Sequence, residues 1–304
     1  MPSEIERLER DHGWRLADHA SPDNGVWVVP ALREALSYPA DCNVLCAGVE
    51  ERSFWFHHRN RMLAQLICTP ARPAALWDVG AGNGFVARHL QGQGLEAVAV
   101  EPGPAGARAA AQRGVRHTIC ALFQDLHLPA DSLPAIGCFD VLEHLEHPEA
   151  LVLEFYRVLA PGGIAAVSLP ALGALWSEAD DLAGHRKRFS RRAMDALFES
   201  AGFVRRRSMY TMAVMVPLVY LCRALPYRLG KRYTEAEAKT KLLRELAPPN
   251  PLLTAIARAL LWLEAQWSRL LPLPFGTSVL GLYVKPPLPH GRGSAFAGGA
   301  GGVA

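Results

Sequence analysis

From Ala75 onward the chain alternates short apolar runs with longer segments of helical spacing. The runs ALWDV (75–79), EAVAV (96–100), RHTIC (116–120), AIGCFDV (135–141) and IAAVSL (164–169) are separated by glycine-containing turns. Unbroken apolar runs of this length predict strands covered on both faces, as in a parallel sheet. Between them FVARHLQG, AGARAAAQRG and PEALVLEFYRVLAPGG carry helical character, and Pro161, Gly162 and Gly163 predict the stop of the last. Regular strand–helix alternation predicts a doubly wound α/β sheet. Ala193 to Ala201 predicts another helix, FVRRRSMY (203–210) a further strand and SVLGLYVK (278–285) the final one.

Outside this repeat the pattern changes. Ser3 and Glu6 fit a capping box, and SFWFHHRNRMLAQLI (53–67) has apolar residues at helical spacing, so an N-terminal helical cover is expected. The last two strands are separated by about seventy residues, too many for a plain connection. That interval holds MYTMAVMVPLVYLC (209–222) and PLLTAIARALLWLEAQWSRLLPL (251–273). Neither offers the roughly eighteen uninterrupted apolar residues of a membrane span. The chain thus divides into an extension (1–47), a sheet domain (48–210 with 278–285), a hydrophobic and basic helical insertion (211–277) and a tail (286–304) expected to be disordered.

At 304 residues, 50% apolar and 20% charged, the composition excludes disorder as the main state. The N-terminus lacks the apolar core of a secretory signal, so a cytoplasmic location is expected. The six cysteines form no CxxC pair and are expected to be reduced; Cys42 and Cys46 have no second Cys/His pair at zinc spacing, and no metal is expected. Charge is uneven: residues 182–232 hold twelve Lys/Arg against Asp195 and Glu199. This asymmetry points to an anionic partner, with solvated helix faces as the plain alternative. The window lacks the aromatic interleaving of a nucleic-acid platform and is broken by an apolar run, which favours an anionic membrane surface and excludes nucleic acid from the expected partners.

The sharpest local feature is LWDVGAGNGF, where Asp78, Gly80, Gly82 and Gly84 follow an apolar strand and open a helix. The dinucleotide fingerprint wants G-x-G-x-x-G, and Phe85 stands where its third glycine would be. Close backbone approach to a ligand is retained, and the preceding carboxylate suits a cationic one. Glu101 ends the next strand in AVAVEPGP, where a carboxylate can take both hydroxyls of a ribose. Asp140, Glu143 and His144 follow the fourth strand in CFDVLEHLEHP, at the edge where open α/β sheets bind ligands.

In the order DVGAGNG, VEP, FDVLEHLEHP and RVLAPGG the chain resembles the class I S-adenosylmethionine-dependent methyltransferases over residues 48–210 and 278–285. The resemblance implies a Rossmann-like seven-stranded sheet whose last strand is antiparallel. It implies that Asp78, Gly80, Gly82 and Gly84 wrap the methionine end of S-adenosylmethionine, that Glu101 with Pro102 holds the ribose, and that adenine lies near Leu122 and Phe123, with Asp140 also at the cofactor. Trp55, Phe56, Arg59 and Asn60 resemble a WFxxRN segment of bacterial members, in which Arg59 meets the cofactor's carboxylate; a helix merely packed by its aromatics is the alternative. Asp140, Glu143 and His144 resemble the E-x-x-E-H run of ubiquinone-biosynthesis O-methyltransferases, which hold a divalent ion there; with Asp in first place, the structural reading is favoured over a metal.

Methyl transfer to an oxygen also needs a base, and His144 beside Glu143 is the expected catalytic pair, since imidazole titrates near neutrality. Trp176, His185, Arg186 and Arg188 form a polar loop after the fifth strand and are expected to bind an acidic or phosphate-bearing acceptor. The expected acceptor is a small or lipid-linked molecule. A nicotinamide-dependent oxidoreductase, and a non-catalytic membrane- or partner-binding protein on the same fold, remain as alternatives.

Overall fold

The computed structural model describes residues 2–30, 47–68, 72–247 and 250–287; Cys42, Cys46 and the tail beyond residue 287 lie outside them. A nine-stranded sheet organises the chain: β1 (Ser21–Asp23), β2 (Val26–Val28), β3 (Ala75–Val79), β4 (Glu96–Val100), β5 (His117–Cys120), β6 (Leu133–Phe139), β7 (Leu159–Pro170), β8 (Val204–Thr211) and β9 (Ser278–Val284). Their spatial order is β1-β2-β5-β4-β3-β6-β7-β9-β8. β5, β4, β3, β6 and β7 are mutually parallel, whereas β9 runs antiparallel between β7 and β8. The order reverses beside β3, so the carboxyl ends of β3 and its neighbours open onto a crevice.

The count is nine rather than the expected seven because the N-terminal extension is not only helical. α1 (Glu4–His12) has the expected capping box, with Glu6 N donating to Ser3 Oγ and Ser3 N to Glu6 Oε2. SPDNGVWV then folds as a hairpin whose turn, Asn24 and Gly25, has positive φ at both residues, the geometry that Asn-Gly favours. β2 pairs in parallel with β5, and Pro22 sits in the edge strand β1, where a missing N–H costs no ladder bond.

α2 (Phe54–Cys68), α3 (Phe85–Gly92), α4 (Pro104–Gln112), α5 (Pro148–Val158), α6 (Glu178–Ala183) and α7 (Arg191–Ser200) complete the alternation. Trp77, Val98, Ile119, Ile136 and Val167 pack on one sheet face. Leu76, Ala135, Ala166 and Leu280 pack on the other. Two-sided burial explains the unbroken apolar runs. α5 ends before the expected Pro-Gly-Gly stop: from Leu159 the chain already belongs to β7, because Gly162 N donates to Lys285 O and Lys285 N to Gly163 O beyond β9.

The insertion starts later than the apolar run at 209–222, whose first three residues finish β8. It comprises α8 (Val216–Val219), a π-helical turn (Tyr220–Ala224), α9 (Leu225–Arg228), α10 (Glu235–Leu246) and α11 (Pro251–Leu270). α11 packs along α2, and its buried Glu264 accepts from Met212 N and Val214 N at 2.5 and 3.0 Å. Its other side leaves Leu252, Ile256, Leu260, Leu263, Trp267 and Leu270 between 44% and 81% exposed, at helical spacing. Among the described residues no helix is long and apolar enough to cross a membrane.

Candidate active site

A cavity of about 880 Å³ opens at the carboxyl ends of β3, β4 and β6. Its floor is the β3–α3 loop, where Gly80, Gly82 and Gly84 have φ of 74°, 54° and 70°. A Cβ on Gly80 would stand 2.4 Å from Val141 Cγ2, and the conformation disfavours L side chains in any case. Gly84 serves packing instead: it is not in the cavity wall, and its Cβ would meet Ala110 of α4 at 2.7 Å. Gly80 N donates to Val100 O at 2.8 Å, tying the loop to the end of β4.

Glu101 is buried where β4 ends. Its carboxylate accepts from Gly82 N at 2.7 Å and Gly103 N at 2.8 Å, so it braces both loops that frame the cavity. Burial pushes its pKa up, and the two N–H donors pull against that. Each oxygen keeps a further lone pair for a ligand hydroxyl. Asp78 is 1% exposed, and its Oδ2 has no hydrogen-bond partner within the protein. Burial raises its pKa to about 7 despite the Arg59 charge nearby. A cationic ligand group would stabilise the ionised form. Pro102, Leu122 and Phe123 line the same wall.

Arg59 reaches the cavity from α2, and its Nη1 lies 2.5 Å from Asp140 Oδ2. Asp140 also accepts from Ser168 Oγ at 3.0 Å and has φ 58°. A non-glycine residue held there is strained and must be fixed by its surroundings, here by those two partners. Arg59 and Asp140 therefore meet each other as well as the cavity.

At the far end stand His144 and His185, with ring centroids 4.9 Å apart. Burial, with the His185 charge, holds His144 down to about 4 rather than near neutrality as expected, so it is neutral at neutral pH but a weaker base than an exposed imidazole. Glu143 does not reach the cavity wall: it is fully buried, 3.8 Å from His185 Nε2, and burial with the Asp140 charge raises its pKa well above the usual range. Glu143, His144 and His185 bring ligand atoms within 4.8 Å of one another, a set that could hold a cation.

Of the expected acceptor loop, His185 and Arg188 line the cavity and Trp176 and Arg186 do not. Trp176 Nε1 donates to Asp181 at 3.1 Å, and Arg186, half exposed, lies 3.7 Å from Glu146. The residue that organises the loop is one sequence reading missed. Asp180, 1% exposed, accepts from Arg188 Nε and Nη2 at 2.8 and 3.1 Å and meets His185 Nδ1 at 2.9 Å. Burial alone would raise its pKa, but the hydrogen bond from His185 and the charge and hydrogen bonds of Arg188 bring it below the ordinary value. The insertion adds Val219, Leu242 and Leu246 to the wall, an apolar side that no local motif announces.

A family profile described as a methyltransferase domain matches residues 50–206, which contain the glycine loop, Glu101, Asp140 and His144. The chain belongs to this methyltransferase family. A "Probable S-adenosylmethionine-dependent methyltransferase" of Mycolicibacterium smegmatis is 29% identical over 60% of this chain and 68% of its own length. A "Ubiquinone biosynthesis O-methyltransferase" of Psychrobacter cryohalolentis is 26% identical over 30% of this chain, which spans only 38% of that protein. The structure of a Haemonchus contortus phosphoethanolamine N-methyltransferase with S-adenosyl-L-methionine shares the fold, with TM-score 0.54 at 14% identity, over 94% of this chain and 60% of that one. Family membership decides for S-adenosylmethionine over a nicotinamide. The residues present fit it: the methyltransferase offers an orphaned buried carboxylate oxygen on Asp78, a side-chain-free cradle at Gly80, and a carboxylate with spare acceptor capacity on Glu101.

Proposed function

We propose that the protein transfers a methyl group from S-adenosylmethionine to an oxygen of a small or lipid-linked acceptor, working at the inner face of a membrane. The observation that carries this reading is that Asp78, Gly80 and Glu101, the histidines 144 and 185, and the apolar Val219, Leu242 and Leu246 all line one cavity. When bound, S-adenosylmethionine supplies an electrophilic methyl group on a sulfonium. Glu101 holds the ribose, and the glycine loop wraps the methionine end, where Asp78 orients the ammonium group by charge. The insertion's side chains exclude water and give an apolar acceptor a wall to lie against. His144, neutral at the working pH, receives the acceptor hydroxyl's proton, and Asp180 fixes His185 and Arg188 beside it.

The exposed apolar stripe of α11 supports peripheral attachment, since such a stripe is stabilised by burial in a membrane interface. The basic window contributes less than its count suggests. Arg188, Arg205 and Arg223 are ion-paired with Asp180, Asp195 and Glu245, while Arg228, Lys231 and Arg232 lie over tyrosine rings and keep their charge.

Incubation with deuterated-methyl cofactor and a lipid extract, followed by mass spectrometry, tests the proposal. A labelled lipid is the expected product, and His144→Ala should lower its rate by roughly 100-fold with cofactor affinity unchanged. Label appearing only in water-soluble acceptors would overturn the lipid part of the reading.

A further inference from the structure

A second cavity, of about 890 Å³, lies between α2, α3 and α11. α2 serves both cavities from opposite faces: Trp55, Phe56 and Arg59 look into the cofactor cavity, and His57, His58 and Arg61 into this one. The second wall carries Arg61, Arg72 and Arg258 with His57, His58 and His89, and among the described residues it contains no aspartate or glutamate. Arg59, Arg113 and Arg188, by contrast, are neutralised by Asp140, Glu50 and Asp180. Arg61, Arg72 and Arg258 form no ion pair with a carboxylate among the described residues.

Arg61 is positioned rather than loose. Its Nη2 donates to His58 Nδ1 at 3.1 Å, and His58 Nε2 lies 3.3 Å from Thr211 Oγ1 on β8. Burial, with the Arg61 charge, holds His58 down to about 4, so its Nδ1 lone pair stays available to Arg61. That arrangement leaves a partly buried guanidinium disfavoured by its own desolvation and by Arg269, with no anion to offset either. Arg258, exposed on α11, faces it from another wall, and Phe54 of α2 and Leu261 of α11 add an apolar part to the lining.

We infer that this cavity is a binding site for a phosphate-bearing ligand, held by Arg61 and Arg258 with the histidines beside them. Guanidinium groups match phosphate oxygens in geometry, and the volume admits a phosphate ester with an organic body rather than a lone ion. The ligand could be a free phosphate ester or a lipid head group, because Arg258 stands on the helix that carries the exposed apolar stripe. The site does not depend on methyl transfer.

The test uses the full chain with two probes: pyrophosphate by calorimetry, and flotation with phosphatidylcholine vesicles with or without phosphatidate. Arg61→Gln should weaken binding by about tenfold or more, and Arg258→Gln by somewhat less. Arg116→Gln, which removes the same charge from an exposed site outside both cavities and outside the basic window, should change nothing. S-adenosylmethionine affinity should be the same in all three, which also reports that each variant is folded. Pyrophosphate binding lost in the variants supports a free phosphate ligand; phosphatidate-dependent flotation lost in Arg258→Gln supports a lipid head group. If the wild type binds neither probe, or both variants bind as it does, the site is overturned.

Discussion

The two faces of α2 border cavities of nearly equal volume, about 880 and 890 Å³, that treat charge in opposite ways. On the side of the strand-end cavity the charged groups are engaged with one exception, the Asp78 Oδ2 left for a cation: Arg59 holds Asp140, Glu101 takes two backbone N–H groups, and Asp180 holds Arg188 and His185. On the other side three arginines and three histidines share a wall with no acid among the described residues. Volume therefore says little about what a cavity is for. The pairing of its charges says more, since a paired set fixes the shape of a site before a ligand arrives, and an unpaired set of one sign marks a charge that the ligand must bring.

Removing a partner on the engaged side should have the largest effect. Asp180→Ala leaves the buried Arg188 guanidinium without its bidentate acceptor and frees His185, and should destabilise the fold by about 3–5 kcal/mol in urea unfolding. A loss within the error of the measurement would mean that the pair is not what shapes the acceptor wall.

A smaller effect sharpens the other face. His58 has its folded pKa depressed to about 4 against an ordinary 6.5. Between those values the unfolded chain binds the proton that the folded chain refuses, so the stability His58 contributes is whole above pH 6.5 and is lost as pH falls toward 4. Relative to His58→Gln, which can keep both hydrogen bonds and does not titrate, the wild type should lose roughly 1 kcal/mol of unfolding free energy per pH unit over that window. Parallel pH profiles would show that His58 is not held neutral for Arg61.

What the sequence disclosed follows from how local each signal is. β3 and β4 are read to the residue because both of their faces are covered, and an apolar run then carries its own boundaries. The glycine loop and Glu101 are equally legible, since positive φ and a strand-end carboxylate leave a mark in a few adjacent residues. The β1–β2 hairpin had a local signal in Asn24-Gly25, but its strands are three residues each, and β1 is exposed throughout, too short to show a period. The end of α5 was misplaced because Gly162 and Gly163 are captured by Lys285, a partner far along the chain. Asp180 was missed for the same reason: within SEAD it belongs to the capping box of Ser177, and only the fold brings Arg188 and His185 to it as well. In α11 the apolar residues surround much of the helix, so the sequence shows an apolar segment without showing which stripe α2 covers.

Calorimetric titration with S-adenosylmethionine, on the wild type and Glu101→Ala side by side, tests most directly that the strand-end cavity is the cofactor site. The wild type should bind one equivalent, and Glu101→Ala should bind more weakly by about 1–3 kcal/mol, the worth of hydrogen bonds to a charged group. Equal affinity in the two proteins, or heat from NADH and none from S-adenosylmethionine, would contradict it.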